Sequence, residues 1–381
     1  MSSSSNNSAP LAGIRVIEVG HMLAGPYCGL MLADLGAEVI KIETPEGDIG
    51  RSVSPHFVGP HNAYFASLNR SKKSVVLDLA SEEGRAALGS IAESAHALVT
   101  NLRPSAIRKL GLTYEALRHC NPRLVCVALT GFGLDGPHAD NPAYDYVIQA
   151  LTGVMALTGD PDAPPTKAGY SAVDNSAGLV AALGLLAKIV QGQGGQVDVA
   201  MYDVMLSQLN YLAGAALNAG ETVERLADSS HPYVVPAQIF PTADGWLTLF
   251  ITHDKFWKIF CGEIGRPEWT VDARFASMVG RRTHRAEVVA AVAHVLRGAS
   301  AADWVRRLAP LGVVAAEVGT LNDALRGDIA AARGLVVSLG DGTLPLQAVA
   351  CPIRFDGYVP RYGVPPLLNE HADEVLGKVA A

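Results

Sequence analysis

Asp174 is the residue whose type and position in this sequence most clearly suit chemistry. It stands in the segment Gly169–Gly178, directly before residues 179–187, a run rich in leucine and alanine that is typical of a helix. Backbone N–H groups in a first helical turn lack partners within the helix and favour nearby negative charge. We therefore predict an ionised carboxylate beside donors that could stabilise a developing negative charge. The alternative is that Asp174 only caps its helix, as aspartates commonly do.

Polar and cationic residues form a second group of candidates. A predicted strand over residues 97–101 ends at Asn101 and is followed by Arg103 and Lys109. Ligands bind at the carboxyl ends of strands in parallel sheets, and cations at that edge suit a phosphorylated ligand. The cationic segment 64–73 has two interpretations, a solvated surface patch or part of a binding site.

Asp145 is a second carboxylate at a predicted helix start. It lies in the first turn of the helix that is predicted to begin around residues 142–153. A carboxylate that stabilises the start of its helix is the favoured interpretation, and a catalytic role is the alternative.

The elements that position these residues have the order of a doubly wound sheet. Residues 13–19 and 37–43 are predicted strands, and residues 27–35 between them are a predicted helix. This order of strand, loop, helix and strand opens a parallel α/β sheet. The first loop holds Gly20 and Gly25 but lacks the G-x-G-x-x-G pattern, so we do not expect a nicotinamide cofactor.

Further elements follow the same periodicity rules. Strands are predicted over residues 74–79, 124–130, 196–201 and 245–251, and amphipathic helices over residues 285–296 and 301–308.

The composition excludes several classes of protein. The chain has 381 residues, 49% of them apolar, and a net charge of -7, which suits an enzyme with a large core and argues against a nucleic-acid surface. Its five cysteines are scattered and show neither zinc spacing nor a disulfide framework, so a reducing cytoplasm fits. Residues 1–7 are predicted to be a disordered tail and not a signal peptide. Gly, Lys or Asp interrupts each apolar run, so no membrane-spanning helix is expected.

Taken together, the sequence blocks resemble the class III CoA-transferases, the family that also contains α-methylacyl-CoA racemase. The resemblance covers roughly residues 9–375, and the order and spacing of its blocks carry it. Those blocks are residues 11–19 (LAGIRVIEV), 37–43 (AEVIKIE), 68–79 (LNRSKKSVVLDL), 101–104 (NLRP), 109–111 (KLG), 121–125 (NPRLV), 142–145 (PAYD), 169–178 (with DNSAG at its end) and 366–371 (PLLNEH).

The resemblance implies an α/β fold, with a Rossmann-like large domain, an inserted smaller α+β domain and an interlocked homodimer. The implied bounds are residues 9–205 and 326–381 for the large domain, 206–228 for a linker and 229–325 for the small domain. Asp174 falls on the family's catalytic aspartate. Positions that resemble the family's CoA contacts are Met22, Leu23, Leu77, Asn101, Leu102, Arg103, Lys109, Tyr144 and Asp145.

The implied activity is transfer of CoA from an acyl-CoA to a carboxylic acid. Asp174 would attack the thioester carbonyl and form first an aspartyl–acyl anhydride and then an aspartyl–CoA thioester. N–H groups near Asn175 and Ser176 are expected to stabilise the oxyanions. The partners expected are acyl-CoA, a small carboxylic acid and a second copy of the chain, with no nucleic acid and no membrane. No metal is expected, and no cofactor beyond CoA itself.

Three alternatives to CoA transfer stay open. The racemase branch pairs its aspartate with a histidine where this chain has Tyr144, and a tyrosine is a poor base near pH 7. A non-catalytic acyl-CoA-binding protein would not need Asp174, and a dehydrogenase would need the missing glycine pattern. The formyl-CoA branch has a run of glycines where residues 231–236 stand, so specificity for formyl-CoA and oxalate is not expected.

Overall fold

The computed structural model describes residues 9–377, so the predicted tail over residues 1–7 lies outside the described residues. The strands are β1 (Arg15–Val19), β2 (Glu38–Glu43), β3 (Phe57–Val58), β4 (His61–Asn62), β5 (Lys73–Val76), β6 (Ala97–Thr100), β7 (Val125–Thr130), β8 (Gly195–Ala200), β9 (Ala237–Pro241), β10 (Trp246–Phe250), β11 (Val314–Glu317), β12 (Val336–Ser338) and β13 (Gln347–Val349). The α-helices are α1 (Ala24–Asp34), α2 (Ala63–Asn69), α3 (Glu82–Glu93), α4 (Pro104–Lys109), α5 (Tyr114–Leu117), α6 (Asp145–Leu151), α7 (Val154–Leu157), α8 (Ala172–Gln191), α9 (Met201–Gln208), α10 (Asn210–Ala219), α11 (Asp254–Glu263), α12 (Met278–Thr283), α13 (Arg285–Leu296), α14 (Ala301–Leu308), α15 (Leu321–Arg326), α16 (Asp328–Ala332) and α17 (Ala372–Gly377).

The first half of the chain forms a six-stranded parallel sheet. Its strand order is β5–β2–β1–β6–β7–β8, and every neighbouring pair is parallel. Most residues of the central strands are buried, as is typical of a sheet whose two faces are both covered by helices. The order reverses between β1 and β6, which makes their carboxyl ends the topological switch point where ligands bind in this class of fold. The predicted parallel α/β sheet is thereby confirmed.

Among the predicted element bounds that differ from the structure, the start of α1 and the end of β5 have local reasons. Helix α1 begins at Ala24 and not at residue 27, because Pro26 fits a first helical turn, where its missing N–H costs nothing. Strand β5 ends at Val76 and not at residue 79, because the side chain of Asp78 accepts from the N–H of Ala80 and turns the chain.

The chain forms two compact units. The first comprises the described residues up to Thr152, Ala168–Asn218 and the described residues from Gly327 onwards, and it contains the parallel sheet. The second comprises Gly153–Lys167 and Ala219–Arg326. In the second unit, β9, β10 and β11 form an antiparallel sheet over a core that includes the fully buried Trp257 and Phe260.

Helix α8 is long and apolar enough to cross a membrane by length and composition alone, although Asp174 and Lys188 interrupt its apolar run. Core helices pass the same test, and α8 packs against α1 and β7 in the first unit. At Gly178 the helices come so close that an added Cβ would lie 2.7 Å from the carbonyl oxygen of Ala24. This close approach fixes the start of α8 beside the start of α1.

Buried ion pairs run beneath the loop between β1 and α1. The carboxylate of Glu18 accepts from Lys41 Nζ at 2.9 Å and from Lys72 Nζ at 2.7 Å, and all three side chains are fully buried. Burial alone would raise the pKa of Glu18, but the two ammonium groups hold it below its usual range. Lys41 also pairs with Asp48 at 2.8 Å. Each charge is therefore balanced, as burial away from water requires.

The cationic segment 64–73 belongs mostly to this buried region. Its first part lies in α2, Lys72 binds Glu18, and Arg70 Nε donates to the carboxylate of Asp34 at 2.9 Å. Arg70 and Lys72 are 3% and 2% exposed, so the interpretation as a solvated patch is wrong. The segment is cationic because it neutralises carboxylates inside the fold.

Candidate active site

A cavity of about 570 Å³ opens at the carboxyl ends of β1, β6 and β7. The loop after β1, the loop after β6 and the start of α8 all contribute to its wall, as expected at the switch point of the sheet. The lining residues are His21, Met22, Leu23, Ala24, Tyr64, Asn101, Leu102, Arg103, Pro104, Leu129, Thr130, Gly131, Ala139, Asn141, Ala143, Tyr144, Asp145, Tyr146, Val147, Ser171, Asp174 and Met201.

Asn101 joins the ends of the two central strands. Its Oδ1 accepts from the N–H of His21 at 3.1 Å, and its Nδ2 donates to the carbonyl of His21 at 3.0 Å. The glycines noted in the sequence make room for this amide, because an added Cβ at Gly20 or Gly25 would lie 2.3 or 2.9 Å from Asn101 Oδ1. Asn101 therefore holds the two loops of the cavity together.

Asp174 is the third residue of α8, and its carboxylate faces the cavity. Burial first, and then the negative charge of Asp145, raise the pKa of Asp174 to about 7. The prediction that the helix start keeps this carboxylate ionised holds only in part, because desolvation outweighs the helix N–H groups and leaves a pKa near 7, at which the carboxylate is partly ionised at neutral pH. The alternative of a simple cap also fails, because Ser171 occupies the N-cap position.

Asp145 caps α8, although it lies in α6. Its Oδ2 accepts from the N–H of Val173 at 2.8 Å, and its Oδ1 accepts from Gln149 Nε2 at 2.5 Å. Asp145 is 4% exposed and is the first residue of α6, which agrees with the favoured interpretation as a helix-start carboxylate. The cap it provides to a different helix has no sequence signal, because 28 residues separate Asp145 from Val173.

The expected oxyanion donors near Asn175 and Ser176 are already used by the helix. The N–H of Asn175 donates to the carbonyl of Ser171 at 3.1 Å. Only the first four N–H groups of a helix lack such partners, and Ser176 lies beyond them. That part of the prediction is wrong, since it places the first turn of α8 too late in the sequence.

Most of the predicted site residues meet at this cavity. Its wall includes Met22, Leu23, Asn101, Leu102, Arg103, Tyr144, Asp145 and Asp174. Leu77 lines a neighbouring cavity of about 350 Å³ that shares His21 and Leu102 with the first. Lys109 is exposed in the last turn of α4 and belongs to the wall of neither cavity.

Among the residues of the wall that were not predicted, Tyr64 and His21 have shifted pKa values. Burial, followed by the charges of Asp174 and Asp48, raises the pKa of Tyr64 to about 12, so its phenol is protonated at neutral pH. Burial lowers the pKa of His21, so its imidazole is neutral there. Tyr64 is the first residue of the segment 64–73, in which only the cations were interpreted. His21 directly precedes Met22 and Leu23, which were predicted as CoA contacts. Within residues 9–377, no group of three or more His, Cys, Asp or Glu side chains is placed to hold a metal ion.

Comparison with known proteins gives a consistent result over the whole chain. The model of CoA-transferase family III matches residues 11–372. The chain is 35% identical to a succinate–glutarate CoA-transferase from Agrobacterium fabrum, over 98% of this chain and 96% of that protein. It is 33% identical to an acetyl-CoA:oxalate CoA-transferase from Acetobacter aceti, with the same coverage of 98% and 96%. The crystal structure of a CAIB/BAIF family protein from Brucella suis superposes with a TM-score of 0.86 at 32% identity, over 97% of this chain and 99% of that one.

Asp174→Asn is expected to stabilise the fold, and more so at higher pH. The pKa of about 7 in the folded state exceeds the reference value of 3.8, so between these values the folded state binds more protons than the unfolded state. The free energy of unfolding of the wild type therefore falls as the pH rises through this window, whereas asparagine does not titrate. Urea denaturation should show a gain for the variant that is about 2–3 kcal/mol larger at pH 8 than at pH 5.

The matched control is Asp203→Asn, since Asp203 is an exposed aspartate in the first turn of α9. It should show no comparable gain with pH. An equal gain for Asp174→Asn at both pH values would contradict the raised pKa.

Proposed function

This chain belongs to CoA-transferase family III, and we propose that it moves CoA from an acyl-CoA to a carboxylic acid, with Asp174 as the nucleophile. The observation that carries the proposal is the position of Asp174, a buried carboxylate with a pKa near 7 in the cavity at the sheet's switch point. The proposed donor is an acyl-CoA, and the proposed acceptor is a small carboxylic acid. The succinate–glutarate and acetyl-CoA:oxalate enzymes are named for substrates of this class.

The proposed reaction proceeds by four acyl transfers that together consume no proton. A carboxylate oxygen of Asp174 attacks the thioester carbonyl, the carbon–sulfur bond breaks, and an aspartyl–acyl anhydride and CoA thiolate result. The thiolate attacks the Asp174 carbonyl carbon and displaces the donor acid, which gives an aspartyl–CoA thioester. The acceptor carboxylate attacks this thioester and forms a second anhydride. Returning thiolate then attacks the acceptor carbonyl, which gives the new acyl-CoA and frees Asp174.

The raised pKa of Asp174 supports the nucleophilic role. A carboxylate with a pKa near 7 is a stronger base than a solvated one, and it is still substantially ionised at neutral pH. Its burial also removes water that would otherwise shield the carboxylate. Asp145 holds the first turn of α8 by the bond to Val173, so the nucleophile stands on a fixed element.

The neighbouring cavity supports the proposed position of CoA. Its wall contains Leu77 and Leu102, which provide an apolar surface for adenine, and it shares Leu102 with the cavity of Asp174. Arg103 follows directly and is proposed to bind CoA phosphate, together with Lys109. CoA would then lie across the strand ends, with its thioester near Asp174.

The reaction as written needs no metal and no cofactor besides CoA. A reducing cytoplasm is the proposed location, since none of the five cysteines is paired.

Asp174→Asn is expected to abolish CoA transfer while preserving CoA binding. An amide is not a nucleophile, whereas its shape and its place in the helix are those of the wild type. Product masses from a panel of acyl-CoA donors and mono- and dicarboxylic acids measure transfer, and calorimetry measures CoA affinity. Asp203→Asn is the control and should retain transfer. Residual transfer by Asp174→Asn above a trace would contradict the proposal. Uptake of α-deuterium by a 2-methylacyl-CoA without transfer would also contradict it and would favour racemisation.

Arg103→Ala and Lys109→Ala are expected to weaken CoA binding by about 1–3 kcal/mol each, the cost of one charge-assisted hydrogen bond. Arg118→Ala serves as the control, because Arg118 is an exposed residue that pairs with Glu115 on the same helix face. Calorimetry with CoA tests all three variants. Unchanged affinity in both Arg103→Ala and Lys109→Ala would place the phosphates elsewhere.

An apolar surface on α8 supports the proposed homodimer. One face of α8 packs within the first unit, and the opposite face exposes Leu179, Leu183 and Val190, of which the last two are 68% and 87% exposed. A helix that is apolar all round is usually buried, and an exposed apolar patch of this kind marks an interface. We propose that a second copy of the chain covers this face, in the interlocked arrangement that the family resemblance implies.

An interlocked dimer is expected to persist on dilution until the chains unfold, because separation requires one chain to open. Light scattering and analytical sedimentation from micromolar to nanomolar concentration should therefore find one dimeric species. A folded monomer at nanomolar concentration would rule the arrangement out.

A further inference from the structure

The loop between β1 and α1 carries an unusual backbone conformation at Met22. Its φ is +65°, in the left-handed region that residues with a Cβ seldom adopt. Met22 lies in the wall of the main cavity, and its neighbour His21 lies in the walls of both cavities. A conformation that costs free energy persists only where surrounding contacts hold it.

Asp48 makes the contact that holds Met22. Its Oδ1 accepts from the N–H of Met22 at 3.1 Å and from the N–H of Gly50 at 2.8 Å. Its Oδ2 lies 2.8 Å from Lys41 Nζ, and the side chain is 1% exposed. Oδ1 is thus hydrogen-bonded, whereas Oδ2 has an ion pair with Lys41 and no hydrogen bond. The pKa of Asp48 is lowered because Lys41 and the N–H donors outweigh burial.

Asp48 is itself anchored in the sheet by the buried ion pairs. Lys41 donates to Glu18 at 2.9 Å and to the carbonyl of Gly20 at 3.0 Å, so it holds the start of the same loop. Lys72 donates to Glu18 at 2.7 Å and to the carbonyl of Pro26 at 2.8 Å, in the first turn of α1. The buried charged side chains therefore bind the loop at Gly20 before Met22, at Met22 itself through Asp48, and at Pro26 after it.

We propose that Asp48 is a positioning residue for CoA binding, which acts by holding Met22 in its left-handed conformation and so fixing the wall shared by the two cavities. The inference rests on the proposed function for the identity of the ligand. Asp48 acts through the Met22 N–H and does not need to touch CoA.

The test is a double-mutant cycle read by calorimetry with CoA alone. Asp48→Ala should weaken CoA affinity about tenfold, the loss expected when one hydrogen bond of a binding loop is removed. Glycine adopts positive φ without penalty, so in the Met22→Gly background the same Asp48→Ala change should cost much less. Asp34→Ala is the control, since it breaks a buried ion pair with Arg70 at the opposite end of α1 from the loop and should leave CoA affinity within about twofold.

Two outcomes would overturn the proposal. One is wild-type CoA affinity in Asp48→Ala, and the other is an equal loss with Met22 and with glycine at position 22.

If Asp48→Ala does not fold, Asp48→Asn decides the question, because its Oδ1 can still accept from Met22 while the charge facing Lys41 is lost. That variant should melt at a lower temperature yet bind CoA within about threefold of the wild type, and a tenfold loss would contradict the proposal. Absence of CoA binding in the wild type would refute the proposed function instead.

Discussion

The buried carboxylate of Glu18, shared between Lys41 and Lys72, is the interaction on which the rest of the first unit depends. Charges removed from water are tolerated only when each has partners, so these side chains fix one another's positions. The two lysines extend this constraint to the carbonyls of Gly20 and Pro26, at either end of the loop after β1. These contacts hold the loop at the switch point of the sheet, where it forms part of the cavity wall.

The same low-polarity interior acts in the opposite direction on Asp174. Glu18 is balanced by cations, and its pKa falls, whereas Asp174 is buried near another carboxylate, and its pKa rises to about 7. Burial of the ionised Asp174 carboxylate therefore lowers the stability of the fold, compared with an exposed or a neutral side chain. Such a cost is typical of residues kept for chemistry, and this supports the proposal that Asp174 is the nucleophile.

The parallel sheet could be predicted from local patterns in the sequence, and part of the cavity wall could be predicted from those patterns together with the family resemblance. Apolar runs separated by helical segments give the strands, and residues that follow strands must meet at the carboxyl edge of the sheet, as Met22, Asn101 and Arg103 do. Asp174 was a candidate from its place before an apolar helical run, and the family resemblance added the expectation that it is the catalytic aspartate. The environment of Asp174 was not predictable from neighbouring residues, because Asp145 and the burial that raise its pKa come from distant parts of the chain. The role of the cations at 70 and 72 was missed for the same reason, since their partners Asp34 and Glu18 lie 36 and 54 residues away.

We propose that Asp174 becomes covalently acylated during turnover. The most direct measurement is mass spectrometry of the peptide spanning Asp174 after incubation with an acyl-CoA donor and hydroxylamine, which converts an anhydride or a thioester to a stable hydroxamate. We predict a hydroxamate at Asp174 that depends on the acyl-CoA and is absent in Asp174→Asn. Turnover of the acyl-CoA with an unmodified Asp174 peptide would contradict the account.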